Sequence, residues 1–140
     1  MGINYEGIMI NQSDLFINAL ENRDLGNIQR IPKTDLHNHF FLSGHRDYIW
    51  KRTGISIPAL TQKLNSMDEM HQWVGKHIND LFDSSEKRVL AIEACFQQAQ
   101  EDGITVLETG DDVWANEHFY RGNLDALIDT FQGAHCRIAP

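Results

Sequence analysis

Apolar positions recur along the chain with two periods, and the switches between them mark alternating helices and strands. Leu15, Phe16, Ala19 and Leu20 form one stripe, so residues 14–22 are expected to be a helix capped by Ser13 and left through Gly26 and Pro32. Residues 1–12 show no period and read as an arm. Over residues 34–39 the period falls to two, which puts Asp35, His37 and His39 on one strand face and Thr34, Leu36 and Asn38 on the other. His45, Arg46 and Asp47 open a helix through Arg52 that stops at Gly54, and residues 55–64 read as a connector with a short helix after Pro58.

Ser66 and Glu69 make a capping box ahead of Met70, Val74, Ile78, Leu81 and Phe82, which predicts an amphipathic helix. His71 and His77 ride on it, too far apart to pair as i and i+4 residues do. Ser84 or Ser85 caps the next helix, with Val89, Ile92, Phe96 and Ala99 inward and Gly103 as its stop. Residues 104–109 alternate again, Ile104, Val106 and Glu108 against Thr105, Leu107 and Thr109. Asn123 then caps a helix whose Leu124, Leu127, Ile128 and Phe131 face the core and which ends near Gly133. Residues 137–140 read as the approach to a third strand. Two strands joined through helices predict a parallel, right-handed crossover and an α/β fold class. No Gly-rich phosphate loop and no internal repeat is present.

The candidate chemistry gathers at 31–44, IPKTDLHNHFFLSG. His37 and His39 share a strand face and could reach one cation, which is half of a metal site; the alternative is a pair of exposed or core-satisfied histidines. Asp35 lies deeper, either orienting a ligand or, by preference, in a buried ion pair with a Lys or Arg, because an enclosed carboxylate needs a partner. Phe40 and Phe41 follow in a loop, as pocket wall or as packing beneath it. Glu108 stands toward the end of the second strand as a second candidate to support the site. Asp111 and Asp112 in the next loop are substrate-pocket candidates, although Gly-Asp-Asp is also ordinary turn chemistry, the favoured reading. Trp114, Phe119 and Tyr120 would make that loop an aromatic wall or lid.

The run PKTDLHNH resembles the first-strand signature of the adenosine deaminase-like branch of the amidohydrolase superfamily, in which Pro-Lys-x-Asp/Glu-Leu-His-x-His supplies two ligands to a catalytic zinc. DLFINALENRDLGNI (14–28) is similar to the lead-in helix of bacterial members, and AQEDGITVLETGDD (99–112) to their second barrel strand and the helix feeding it. The resemblance implies the N-terminal part of a (β/α)8 TIM barrel, about two βα units plus a lead-in helix. A whole barrel needs about 250 residues, so 1–140 is expected to be a single truncated hydrolase domain, with 1–30 the lead-in arm and helix and 31–140 the first βα units. It further implies zinc on His37 and His39, at the C-terminal mouth where barrels place their chemistry. A third His, an Asp and the proton-handling Glu and His are expected beyond Pro140.

The implied activity is hydrolytic deamination of a purine nucleoside, a base or a related amine by metal-activated water, with the 140-residue chain alone inactive. Adenosine deaminases carry an acidic residue shortly after the second His that contacts the ribose; Phe40 and Phe41 stand in the first of those positions here, which argues against adenosine itself. Two other classes compete. A PHP-type phosphoesterase also begins with Asp-Leu-His-x-His but needs further His and Asp clusters. A non-catalytic barrel fragment would act as a self-associating module, a homo-oligomer covering its open sheet edges.

Composition narrows the partners. A net charge of -8 and a pI near 5.2 argue against nucleic acid, whose phosphates need clustered Lys and Arg. No apolar run approaches the roughly 18–20 residues of a membrane span. The first residues lack a basic stretch followed by an apolar one, so the chain is expected in the cytoplasm with a small-molecule substrate. Cys95 and Cys136 form no knuckle or disulfide framework and read as free thiols, Cys95 in the core.

Overall fold

The computed structural model describes residues 11–81 and 83–139. Most of the expected N-terminal arm, Phe82 of the apolar stripe and Pro140 lie outside them. Among the described residues, helices and two strands alternate as α1 (Gln12–Glu21), α2 (Leu25–Arg30), β1 (Lys33–His39), α3 (Arg46–Thr53), α4 (Met67–His77), α5 (Ser85–Glu101), β2 (Ile104–Gly110), α6 (Val113–Tyr120) and α7 (Leu124–Ile138). A single 3-10 turn, Asn79–Leu81, leads from α4 toward α5. None of these helices is long and apolar enough to cross a membrane.

Side-chain caps fix most of the boundaries. Ser84 Oγ accepts the Lys87 N–H at 3.3 Å, and Asn123 Oδ1 accepts the Ala126 N–H at 3.2 Å. Ser66 Oγ accepts from Glu69 N at 3.2 Å, while the Glu69 carboxylate reaches back to Asn65 N at 2.7 Å, one residue earlier than a capping box prescribes. The first cap is Asn11, not Ser13: its side chain accepts the Ser13 N–H at 3.0 Å, so the helix starts earlier than its stripe suggested. Arg23, at φ 53°, then breaks the lead-in in two, and Asp24 caps α2.

Three further expectations are corrected. No helix follows Pro58; Leu60 there is 45% exposed, so a helical turn would bury little apolar surface to hold it. The aromatic stretch expected as a loop is helix α6. The last helix passes Gly133 and runs to Ile138, so no third strand begins at 137. Arg137 bonds Glu93 of α5 and Ala134 is fully buried, which fastens the final turns to the core.

The sheet is parallel, with Lys33, Thr34 and Asp35 paired to Ile104, Val106 and Leu107, and Asn38 and His39 paired to Thr109 and Gly110. Between these blocks Leu36 and His37 stand against the single Glu108, a β-bulge in β1. The bulge overturns the strict alternation read from the sequence. Asp35 and Asn38 turn toward α5, with Leu107 and Thr109 as their register partners, while His37, His39 and Glu108 stay exposed with Leu36 and Val106 on the open face.

Helix α5 is the spine. Its Ala91, Ile92 and Cys95 pack with Phe40 and Ala134 into one cluster, and its Ala94 joins Ile49, Ile78 and Leu81 in another. Glu93, buried on the same helix, accepts Tyr48 Oη at 2.7 Å and Arg52 at 3.4 Å and bonds Arg137, tying α3 and α7 to it. Leu124 and Ile128, expected in the core, are 61% and 51% exposed because α7 meets α5 through Phe131 and Ala134 instead.

Candidate functional site

His37 and His39 stand at the C-terminal end of β1 with ring centres 5.2 Å apart and planes at 73°. Two imidazoles on a tetrahedral zinc, with Zn–N bonds of about 2 Å, have ring centres roughly 5 Å apart, so the pair meets that spacing. Neutral imidazoles also suit the metal chemically. The set is incomplete: among the described residues no three His, Cys, Asp or Glu side chains converge on one point. The pair therefore fits two ligands of a metal centre and does not complete one among the described residues.

Behind the pair runs a hydrogen-bonded chain. Asp35 Oδ1 accepts the His37 backbone N–H at 3.2 Å, and Asp35 Oδ2 accepts Asn38 Nδ2 at 2.7 Å. Asn38 Oδ1 in turn accepts the Ser43 hydroxyl at 2.7 Å, and Ser43 Oγ lies 3.2 Å from Cys95 Sγ. The expectation of an ion pair for Asp35 is corrected: its oxygens are spent on an amide and a backbone N–H. Burial pushes the Cys95 thiol up, with the Asp35 charge adding to it against the Ser43 hydrogen bond, so it stays protonated as a donor.

The two phenylalanines part company. Phe40 is fully buried under the loop, edge-on to Phe131 at 5.7 Å, and is packing rather than pocket wall. Phe41 is edge-on to His39 at 5.8 Å and lines a 330 Å³ hollow with Val74, Arg88, Asp112, Trp114 and Phe119. Trp114 Nε1 donates to Asp112 at 3.2 Å along that wall. Asp111 does not line the hollow; its Oδ1 accepts the Asp112 N–H at 2.8 Å, as a turn carboxylate does, and its carboxylate also enters a buried salt bridge with Arg88. Glu108 faces the bulge on the exposed side and joins no cluster of ligand groups among the described residues.

Sequence reasoning missed Arg88. It falls on one stripe with Ala91, Ile92 and Cys95, at the three- and four-residue spacing of a buried face, and that spacing was the available signal. Its guanidinium lies 4.5 Å from the Phe119 ring centre and 5.2 Å from that of Phe40. His45, expected to open a helix, caps α3 through Nδ1 and pairs with Glu101 at 2.9 Å.

Among known proteins, a curated protein of Treponema pallidum (strain Nichols) named "Putative adenosine/adenine deaminase" is 27% identical to this chain over 106 residues. The likeness is to a deaminase. It takes in 76% of this chain and 35% of that protein, so the chain spans about a third of the relative's length. No family model and no solved structure matches.

Proposed function

We propose that the chain is the N-terminal segment of a zinc-dependent, adenosine deaminase-like amidohydrolase with the beginning of a (β/α)8 barrel, acting on a purine nucleoside, a base or a related amine. The observation that carries the reading is the His37–His39 pair, 5.2 Å between ring centres on the exposed face at the C-terminal end of a parallel strand. The distant likeness to a deaminase supports the reaction class.

In this reading His37 and His39 hold the metal through their ring nitrogens, and Asp35 steadies the His37 backbone without touching the imidazole. Zinc bound there would supply a water whose pKa is lowered toward neutrality. Phe41, edge-on to His39, would screen one side of the reacting centre from solvent and offer a flat apolar surface to a ring substrate. The further ligands and the proton-transferring groups would come from the remainder of such a protein, and the 140-residue chain by itself turns over nothing.

A PHP-type phosphoesterase would also need His and Asp donors beyond the pair, and the distant likeness is instead to a protein named as a deaminase, which favours the first reading. Self-association has one observation in its favour: Leu36 and Val106, 59% and 50% exposed, lie on an uncovered sheet face, and a dimer mass by size exclusion with light scattering would support it.

The deciding experiment is elemental analysis of protein purified without chelator, wild type beside His37→Ala/His39→Ala. Zinc is expected in the wild type and absent from the double variant. Equal metal content in both would refute the metal reading, and appreciable deamination by the homogeneous 140-residue chain would refute its inactivity.

A further inference from the structure

We propose that Asp35, Asn38, Ser43 and Cys95 act as one relay that positions His37 and His39 as a metal-binding pair. The inference rests on the metal reading above and adds the residues that hold the pair in place. The bulge creates the need for them. A strand of regular alternation would put Asp35 on the face of His37; with Leu36 and His37 both set against Glu108, the carboxylate turns instead toward α5. From there Asp35 accepts the His37 N–H at 3.2 Å, across the irregular step itself.

Donor and acceptor chemistry orients the Asn38 amide at the centre of the relay. An ionised Asp35 only accepts, so Asn38 must present its NH2 to it, as it does at 2.7 Å. That turns Asn38 Oδ1 to Ser43, whose single proton it takes at 2.7 Å. Cys95 closes the network from the core, its Sγ 3.2 Å from Ser43 Oγ and 3.5 Å from Asn38 Oδ1, which accepts the thiol proton. The same hydroxyl lies 3.3 Å from the His39 carbonyl. The relay thus reaches the His37 backbone N–H from a cysteine that is 1% exposed in the core of α5. It keeps the Asp35 charge off the exposed face and holds the backbone that carries the His37 ring. These are positioning residues, since none of them meets the face on which the imidazoles stand.

The test measures zinc affinity of the 140-residue chain by competition with a chromogenic chelator, with melting curves and amide hydrogen exchange at His37 taken in parallel. The variants are Asp35→Ala, Ser43→Ala, Ser43→Thr and His37→Ala/His39→Ala. Loss of a group that orients a metal ligand typically weakens binding about 10- to 100-fold; that loss is expected in Asp35→Ala and Ser43→Ala while Ser43→Thr, which keeps the hydroxyl, retains wild-type affinity. His37 amide protection, read without metal, should fall in the same two variants. Ser43→Ala removes one oxygen and reports even where Asp35→Ala fails to fold. Affinities within about twofold of wild type in Asp35→Ala and Ser43→Ala would overturn the relay and leave the metal pair standing, as would an equal loss in Ser43→Thr. A wild type that binds zinc no better than the double-histidine variant would overturn the metal reading, and the positioning role with it.

Discussion

Arg88 on α5 and Asp111 just beyond β2 form a salt bridge closed to solvent, their side chains 3% and 7% exposed. Phe40 and Phe119 hold the guanidinium at 5.2 and 4.5 Å from their ring centres, yet Arg88 Nε and Asp111 Oδ2 find no partner. Desolvation is therefore offset by the mutual attraction and the ring contacts rather than by a complete hydrogen-bond set. The pair fastens the loop after β2, and so the start of α6 and the wall of the hollow beside His39, to the spine helix.

Breaking the pair from one side should cost more than removing it. Asp111→Ala leaves a cation buried without its partner, which costs about 3–5 kcal/mol. Arg88→Met/Asp111→Leu puts apolar volume in place of both charges and should cost less than either single truncation. Urea unfolding of Asp111→Ala, Arg88→Ala and the double variant measures this; a single-variant loss below about 1 kcal/mol would mean the pair is open to water.

The Glu93 cluster predicts how stability responds to pH. Burial alone would raise the Glu93 pKa, but hydrogen bonds from Tyr48 and Arg137 and the charges of Arg137 and Arg52 outweigh it and hold the carboxyl below its usual range. The unfolded chain then binds that proton more readily, so the contribution is present above the ordinary carboxylate pKa of about 4.3 and is lost as pH falls through the lower folded value. Tyr48 behaves in the opposite sense: burial, then its bond to Glu93, pushes it up to about 12. Its contribution is whole below its ordinary pKa near 10 and fades as pH rises through the folded value. Urea midpoints measured against pH should show a flatter acid limb in Glu93→Gln and a flatter alkaline limb in Tyr48→Phe. An acid limb unchanged in Glu93→Gln would remove this carboxylate from the acid response.

What the sequence carried was what local chemistry decides. The caps at Ser66, Ser84 and Asn123 and the left-handed glycines at 54 and 103 are short-range signals, and the ends they predict coincide with those in the structure. The two strands were legible for the same reason, as period-two runs between such punctuation. The bulge was not, because nothing within 34–39 departs from alternation; the irregular step exists only in the register with β2 and in the Asp35 contact that spans it. The hidden members of the site share that character. Asp111 looks like a turn residue until Arg88 is brought to it from 23 positions away, and Ser43 looks like turn chemistry until Cys95 arrives from 52 positions away. Gly133 misled in the other direction: a glycine stop is overridden where Ala134 and Arg137 are both held by α5.

Gly103 is the tightest point of the crossover. At φ 72° it favours a residue without Cβ, and an added Cβ would lie 1.9 Å from the Gln29 carbonyl oxygen. Its own carbonyl accepts the Lys33 N–H at 3.1 Å, so the turn also sets where β1 and β2 first meet. Gly103→Ala should destabilise by well over about 1 kcal/mol, since strain at positive φ and a backbone clash add. Gly75→Ala, on a helix with nothing within 4 Å of the added carbon, should instead be neutral or stabilising. Thermal melts should show a lowered Tm in Gly103→Ala and an unchanged or raised one in Gly75→Ala; a Gly103→Ala variant as stable as wild type would remove the clash.

Phe40 and Leu36 separate packing from display on the same short stretch. Phe40 is 0% exposed, touching the α5 cluster on one side and Phe131 on the other; Leu36, four residues earlier, is 59% exposed on the open sheet face. Truncating a fully buried phenylalanine costs about 3–5 kcal/mol through lost transfer energy and the cavity left behind, whereas a half-exposed leucine in an isolated chain loses little. Leu36→Ala should therefore unfold within about 0.5 kcal/mol of wild type, and Phe40→Ala should unfold far earlier. The comparison also tests the covering of the sheet. Where copies of this chain close over Leu36 and Val106, the cost of Leu36→Ala rises with protein concentration, because burial there belongs to the assembly. A concentration-independent, near-zero cost means that the face stands open to solvent in the chain as it folds alone.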